Sequence, residues 1–175
     1  MKNLFKKIKN RLFPPKIELV FFVFEGPALP LSAPLRIVMI DSLRKFSADT
    51  RIPGLLKNDS SEKRLRDNDR FVYLTDGEEA LSWGWVFGGT AFYLFEIDRT
   101  SCHKDNIFVY DFFTPEKHRN RGYYATLLSN IPSLLENPKV TVGAAIHNQA
   151  SIRGIKKAGY IPFEMEFCEK NSSAF

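Results

Sequence analysis

The chain has 175 residues, of which 44% are hydrophobic, 26% charged and 14% aromatic, with 16 Phe. That is the size of one domain, rich enough in large apolar side chains to bury a core, which excludes global disorder. The net charge of +5 is concentrated at one end: residues 1–16 hold six bases and no acid, and the rest hold 19 basic against 20 acidic side chains, so the body lacks the charge signature of a nucleic-acid-binding surface.

Taken in chain order, Met1, Leu4, Phe5, Ile8 and Leu12 recur at helical spacing among Lys2, Lys6, Lys7, Lys9 and Arg11, and Pro14 and Pro15 stop the pattern. Residues 1–16 therefore read as a basic amphipathic leader helix, ahead of a domain at 17–175. An apolar stripe edged with lysines suits the surface of an anionic membrane, with contact through residues 1–13. A helix packed on the body, or a frayed tail, is the competing reading. The apolar run 19–24 is short and bracketed by Glu18 and Glu25, which speaks against a secretory signal, and no stretch approaches a transmembrane length. The expected location is the cytoplasm, peripheral to the inner face of the membrane if the leader docks there.

Residues 17–24, rich in Val and Phe, read as a buried strand. Pro27, Pro30 and Pro34 make a loop, and 35–40 is a second apolar run. Asp41 or Ser42 can cap a helix through Leu43 and Phe46. The charged stretch 59–69 is a solvated helix or loop. Residues 71–74 and 80–87 flank an Asp76-Gly77 turn and read as a hairpin. Strands follow at 92–97 and 107–113, a helix at 122–135, a strand at 140–146, a helix at 151–158 and a strand at 161–167. This order is mixed α/β, antiparallel strands first and a strand–helix–strand–helix–strand unit at the end. Cys102 and Cys168 make neither a disulfide framework nor a zinc pair, and His103 and His118 add no ligand spacing, so no metal is expected.

Residues 107–128 carry the most chemistry. A strand runs into a polar, basic turn, and a helix starts near Gly122. Such a turn offers free N–H groups and the positive end of a helix dipole to a pyrophosphate. Gly122 lets the backbone come close, and Arg119 and Arg121 add charge. Neither a Walker A loop nor a dinucleotide glycine motif is present.

Here the sequence resembles the GNAT superfamily of acyl-CoA-dependent N-acyltransferases. Arg119-Asn120-Arg121-Gly122-Tyr123-Tyr124 fills the family's R/Q-x-x-G-x-G/A signature, with Tyr124 in place of the last small residue. Downstream, Asn148, Ala150, Ser151, Lys157, Gly159 and Tyr160 match its N-x-A-S-x-x-x-x-x-K-x-G-F/Y motif. Residues 67–86 resemble the family's earlier hairpin more loosely. The resemblance implies an α/β (α+β) fold, with a mixed, mostly antiparallel sheet flanked by helices and two parallel strands splayed around acetyl-CoA. The pyrophosphate would meet residues 119–124. The pantetheine would pair with the backbone of Phe112, Phe113 and Thr114, and Asn148 and Ser151 would add contacts.

The resemblance also implies direct attack of an acceptor amine on the thioester. Asp111, on the strand before the loop, would be the base, acting directly or through water; a carboxylate that only shapes the loop is the other reading. The acid Tyr of many relatives falls at Ile155, so His147, Ser151, Tyr123 or Tyr124 would substitute, or the thiolate would leave unaided. Trp83 and Trp85 share one strand face, with Glu96 on the next strand. They suit a floor for an amino sugar, free or nucleotide-linked and destined for envelope polysaccharide, or else they are core. A protein or peptide amine is the alternative acceptor, and a catalytically inactive, CoA-binding, membrane-docked adaptor is the alternative without chemistry. Monomer and homodimer are both compatible with the sequence.

Overall fold

The computed structural model describes residues 18–89, 91–94, 99–101, 106–136, 139–165 and 167. The leader, Glu96, Cys102, His103 and Cys168 lie outside the described residues. Nine strands are described: β1 (Leu19–Phe24), β2 (Arg36–Ile40), β3 (Arg70–Thr75), β4 (Ala80–Val86), β5 (Phe92–Leu94), β6 (Arg99–Ser101), β7 (Ile107–Phe113), β8 (Val140–Ala145) and β9 (Tyr160–Phe163). They are joined by helices α1 (Leu43–Ala48), α2 (Asp59–Arg66), α3 (Tyr123–Leu134) and α4 (Gln149–Lys157). Seven strands form one sheet in the order β2-β3-β4-β7-β8-β1-β9, and β5 and β6 form a separate hairpin. Every pair in the large sheet is antiparallel except β7 with β8.

The elements follow the sequence expectation closely, with two departures among the strands and two among the helices. The strand expected to run to 167 ends at Phe163. Strand β6 carried no recognised signal. The last helix starts two residues early, at Gln149, because Asn148 caps it by accepting from the Ser151 amide at 3.1 Å. Ser42 sits at the N-cap of α1 without a side-chain bond. Helix α2 settles the choice left open at 59–69: Asn58 accepts from the Ser61 amide at 3.1 Å and closes its first turn.

Period-2 alternation divides the core between the two faces of the sheet. On β3, Val72 and Leu74 face α3 with Leu127, Leu128 and Ile131, while Phe71 and Tyr73 face Phe46 of α1 and Leu65 of α2. Burying each such side chain is worth about 1.5–3 kcal/mol. Pro132 in the last turn of α3 cannot donate to the carbonyl of Leu128. The buried Tyr160 hydroxyl donates to that oxygen instead, at 3.2 Å, tying α3 to β9.

Strand β1 lies between β8 and β9 rather than beside β2. Its sequence, LVFFVF, is apolar on both faces: Phe22 packs in the cluster under α3, and Phe21 packs on the opposite side with Leu94, Phe108 and Met165. A strand apolar on both sides belongs inside a sheet. Strand β9 takes the edge, where Pro162 removes no needed ladder bond.

Candidate active site

Two features of β7 open the sheet. Trp83 and Trp85, two residues apart on β4, pair with Phe113 and Tyr110, three residues apart on β7, so β7 carries one extra residue. Asp111 within this bulge has φ +50°, a left-handed conformation that Asp tolerates better than most residues. The parallel pairing of β7 with β8 stops at Val109 and Val142, although the strands continue to Phe113 and Ala145. Beyond that point no ladder pairing joins them.

A cleft of about 460 Å³ lies on one side of this gap, with walls from Phe112, Phe113, Thr114, residues 118–120 and 122–125, and α4 from Asn148 to Lys157. Its floor is the turn ahead of α3. Asn120 and Gly122 both have positive φ, +63° and +81°. The first amide of α3 to bond within the helix is that of Thr126, to Gly122 O at 2.9 Å, so the amides of Tyr123, Tyr124 and Ala125 point out of the helix start. Arg119 bridges this loop to β7: its Nε donates to Thr114 O at 3.2 Å, and its guanidinium lies 5.9 Å from the Phe113 ring. Arg153 and Lys157, one turn apart on α4, face the same opening. Exposed amides at a helix N-terminus ringed by cations form an anion site.

Tyr124 stands within this cleft, its ring against Phe112 with centroids 5.5 Å apart. Its hydroxyl is 3.3 Å from Ser151 Oγ, and burial pushes its pKa up to about 12, so it keeps its proton at neutral pH. Gly154 makes room for it: a Cβ there would lie 2.5 Å from Tyr124 Cδ1. The bulky residue at the end of the loop motif is thus matched by a missing side chain on α4. Gly154→Ala should therefore lower stability. The helix-propensity gain of about 1 kcal/mol is smaller than an overpacking cost of about 1–3 kcal/mol. A thermal melt should show a fall of a few degrees; a raised Tm would refute this pairing.

A second cleft of about 710 Å³ lies on the other side of the gap, lined by Phe87, Phe92, Tyr110, Asp111, Ala145, His147 and neighbouring residues. Asp111 Oδ2 accepts from Arg64 at 2.6 Å, and the carboxylate is 59% exposed. The Arg64 guanidinium lies 5.1 Å from the rings of both Trp85 and Tyr110. Tyr110 is fixed in turn, because its hydroxyl donates to the buried Asp69, which also accepts from the Gly88 amide at 2.9 Å. Burial and the Asp69 bond raise the Tyr110 pKa well above the ordinary phenol range.

The two clefts flank one gap. Phe112 and Phe113 line the first and Tyr110 and Asp111 the second; on the β8 side, Asn148 lines the first and His147 the second. Most of the sequence-derived groups are brought together, but Arg121 lines neither cleft, Glu96 lies outside the described residues, and the two tryptophans lie elsewhere. Trp83 and Trp85 share a face, as expected, but are only 5% and 3% exposed. They pair across from Tyr73 and Phe71 under α1 and α2, and neither lines a cleft. The expected floor is corrected accordingly: Phe87, Phe92 and Tyr110 supply the aromatic wall. Asn148 spends its side-chain oxygen on capping α4, and Ile155, at the absent acid's position, is fully buried. Arg64, Arg153 and His118 were missed. Arg64 lies 47 residues before its partner, beyond any local pattern. Among the described residues no group of His, Cys, Asp and Glu could hold a metal ion.

No protein-family model and no curated protein matches the sequence. Solved structures do. The chain is similar to a GNAT-family acetyltransferase from Colwellia psychrerythraea, at 12% identity and TM-score 0.55 over 87% of this chain and 57% of that one. It is similar to a putative GNAT-family acetyltransferase from Novosphingobium aromaticivorans, at 14% identity and TM-score 0.52 over 87% and 65%. A third is AAC(6')-Iy in complex with the bisubstrate analogue CoA-S-monomethyl-acetylneamine, at 14% identity and TM-score 0.51 over 79% and 99%. The chain thus spans less than two thirds of the length of the first two.

Proposed function

We propose that this chain, whose fold is the GNAT fold, transfers an acetyl group from acetyl-CoA to a primary amine on a small molecule. The observation that carries this reading is the gap between β7 and β8, with an anion-binding helix start on one side and a carboxylate-bearing aromatic cleft on the other. The loop amides, Arg119 and Arg121 hold the pyrophosphate. The free edge of Phe112, Phe113 and Thr114 pairs with the pantetheine amides, and Asn148 and Ser151 close the α4 side.

Asp111 acts as the base. Its Oδ2 is held by Arg64, which leaves the other oxygen to take a proton from the acceptor ammonium, directly or through water. The freed nitrogen attacks the thioester carbon; the N–C bond forms, the C–S bond breaks, and the second proton on the nitrogen passes to solvent or to the departing sulfur, which leaves as thiolate or thiol. His147 lines the acceptor side and Tyr124 the donor side, and either is placed to supply a proton to the sulfur. The phenol's pKa of about 12 suits a donor better than a base. The aromatic wall beside Asp111 favours an amino sugar, including a nucleotide-linked one, by stacking on its apolar ring face. AAC(6')-Iy holding an analogue that joins CoA to acetylneamine supports donor and acceptor meeting within this fold. The buried Ile155 favours the second reading, a CoA-binding adaptor without turnover. A thiol-release assay with acetyl-CoA and a panel of amines tests both. Amine-dependent release is expected with amino sugars; release only with peptide amines moves the acceptor class, and binding without release favours the adaptor.

The first described residues, Glu18 and Leu19, lie beside the acceptor cleft. The Glu18 carbonyl accepts from the Ile146 amide at 2.8 Å, and Leu19 lines that cleft. Docking of the leader on an anionic membrane would place the acceptor side near the lipid. Among the described residues no helix is long and apolar enough to cross a membrane. Deleting residues 1–13 is expected to abolish sedimentation with anionic vesicles and leave acetyl-CoA affinity unchanged. At about 1 kcal/mol per basic residue, vesicle binding of the full chain should also fall steeply with salt. Full-length protein that ignores acidic vesicles at low salt would make the leader a packed or frayed segment.

A further inference from the structure

Among the described residues that line the acceptor cleft, Arg64 is the only Lys or Arg and Asp111 the only Asp or Glu. The transfer described above uses Arg64 only to hold one oxygen of Asp111, at 2.6 Å. That bond occupies one of the five N–H donors of a guanidinium, and among the described residues no other hydrogen bond reaches the group. The ring faces of Trp85 and Tyr110, whose centroids are each 5.1 Å away, attract the cation but offer no lone pair to its N–H groups. The side chain is 29% exposed, and it reaches the cleft beside Asp111 and Tyr110, which line it too.

The group is also held in place. The Arg64 carbonyl accepts from the Asp69 amide at 2.9 Å, and the Asp69 carboxylate fixes the Tyr110 hydroxyl. A positioned, partly desolvated guanidinium with unused donors at a ligand cleft is suited to bind a carboxylate or phosphate.

We propose that the acceptor is an amine with an anionic group beside it, a carboxylate on the amine-bearing carbon or a phosphate ester on the next one, and that Arg64 binds this anion while Asp111 faces the ammonium. This rests on the reading of the cleft as the acceptor site. The two protein charges are bonded to each other at 2.6 Å, so a ligand that meets both must carry its own two charges close together. Carboxylate, guanidinium, ligand anion and ligand ammonium then alternate in sign around the site. The aromatic wall of Phe87, Phe92 and Tyr110 is left to pack on the rest of the acceptor. An amine without the anion displaces water from the guanidinium and gives its N–H groups nothing in return, and a site of this kind discriminates against the analogue that lacks the polar group.

The test is the thiol-release assay with two matched sets of acceptors. One compares glucosamine with glucosamine 1-phosphate, whose phosphate adjoins the amine, and with glucosamine 6-phosphate, whose phosphate is remote from it. The other compares phenethylamine with phenylalanine, the same molecule with a carboxylate on the amine-bearing carbon. In at least one set the adjacent-anion acceptor is expected to exceed its neutral partner in kcat/KM by about 10- to 100-fold, the usual worth of a hydrogen bond to a charged group. The set that shows the preference tells phosphate from carboxylate. Glucosamine 6-phosphate should behave like glucosamine; a preference for it equal to that for the 1-phosphate overturns the pairing of adjacent charges.

Arg64→Gln should remove most of the preference. Its loss also releases Asp111 and slows every acceptor, so the ratio between acceptors, in variant against wild type, isolates the anion. Equal loss for neutral and anionic acceptors overturns the proposal and leaves Arg64 as a positioning residue for Asp111. Wild type that prefers no adjacent-anion acceptor, while releasing thiol with other amines, overturns the proposal and leaves the acetyl-transfer reading intact. Wild type that releases thiol with no amine overturns both. If Arg64→Gln melts early, the wild-type series decides, because the 1-phosphate and the 6-phosphate differ only in where the anion stands.

Discussion

Gly122→Glu should remove acetyl-CoA binding while the protein stays folded. Gly122 has φ +81°, and a Cβ there would meet nothing closer than Lys157 Nζ at 3.7 Å. The fold therefore loses only the left-handed penalty, about 1–2 kcal/mol, against a typical stability of about 5–15 kcal/mol. The ligand loses far more. The new carboxylate sits at the helix start, on the cleft side lined by Arg119 and Lys157, in the position proposed for the pyrophosphate. A like charge about 4 Å away in a partly screened site opposes binding by about 4 kcal/mol, of the order of 10³-fold. Gly122→Ala separates the two effects, because it carries the backbone strain without the charge and should lose far less affinity. Calorimetry with acetyl-CoA and a thermal melt decide it. Wild-type affinity in the glutamate variant would mean that the pyrophosphate does not sit on this loop.

Asp111→Asn should lower kcat by about 10²- to 10⁴-fold, the usual contribution of a general base, with little change in KM for acetyl-CoA. Asparagine suits the test. It keeps the shape and, like aspartate, tolerates the φ of +50° in the bulge. It forfeits the ion pair with Arg64, but Arg64 remains stacked on Trp85 and Tyr110. The pair is largely exposed on the Asp111 side and is worth little to stability. An amine of high pKa is almost wholly protonated at neutral pH, so the variant should recover part of its activity at high pH, where solvent supplies more free amine. If Asp111 only shapes the bulge, KM for acetyl-CoA rises and the pH profile keeps its form. If kcat and KM both hold, the search for a base moves to His147 and Glu96.

The donor side of the site was legible in the sequence because its parts are close together in the chain. The loop at 119–124 and the helix start it feeds are contiguous, and an anion site at a helix N-terminus is a local property of backbone amides and dipole. Asn148 and Ser151 were legible for the same reason, although the side-chain oxygen of Asn148 caps the helix. On the acceptor side the resemblance named Asp111 and His147, but not the residues that join them. Arg64, Phe87, Asp111 and His147 come from four separate segments and meet only where β7 and β8 diverge. His118 is a case between the two: its position beside the loop is local, but the tie to Glu79 spans 39 residues.

By itself the sequence determined most of the elements and the existence of the hairpin. Alternation at 70–75 and 80–86 and the turn at Asp76-Gly77 set which side chains share a face, because the side-chain period of a strand is fixed at two. It determined that Trp83 and Trp85 point the same way. Only the tertiary structure decided which way that is: α1 and α2 cover their face, so the pair became core and the aromatic wall of the acceptor cleft came from other strands. It also decided where β1 goes. Local pattern says that LVFFVF is a strand with two apolar faces; it cannot say which neighbours cover them. The first strand sits between the eighth and the ninth, because strand order follows from burying both apolar faces of β1 at once, a condition that involves the whole sheet.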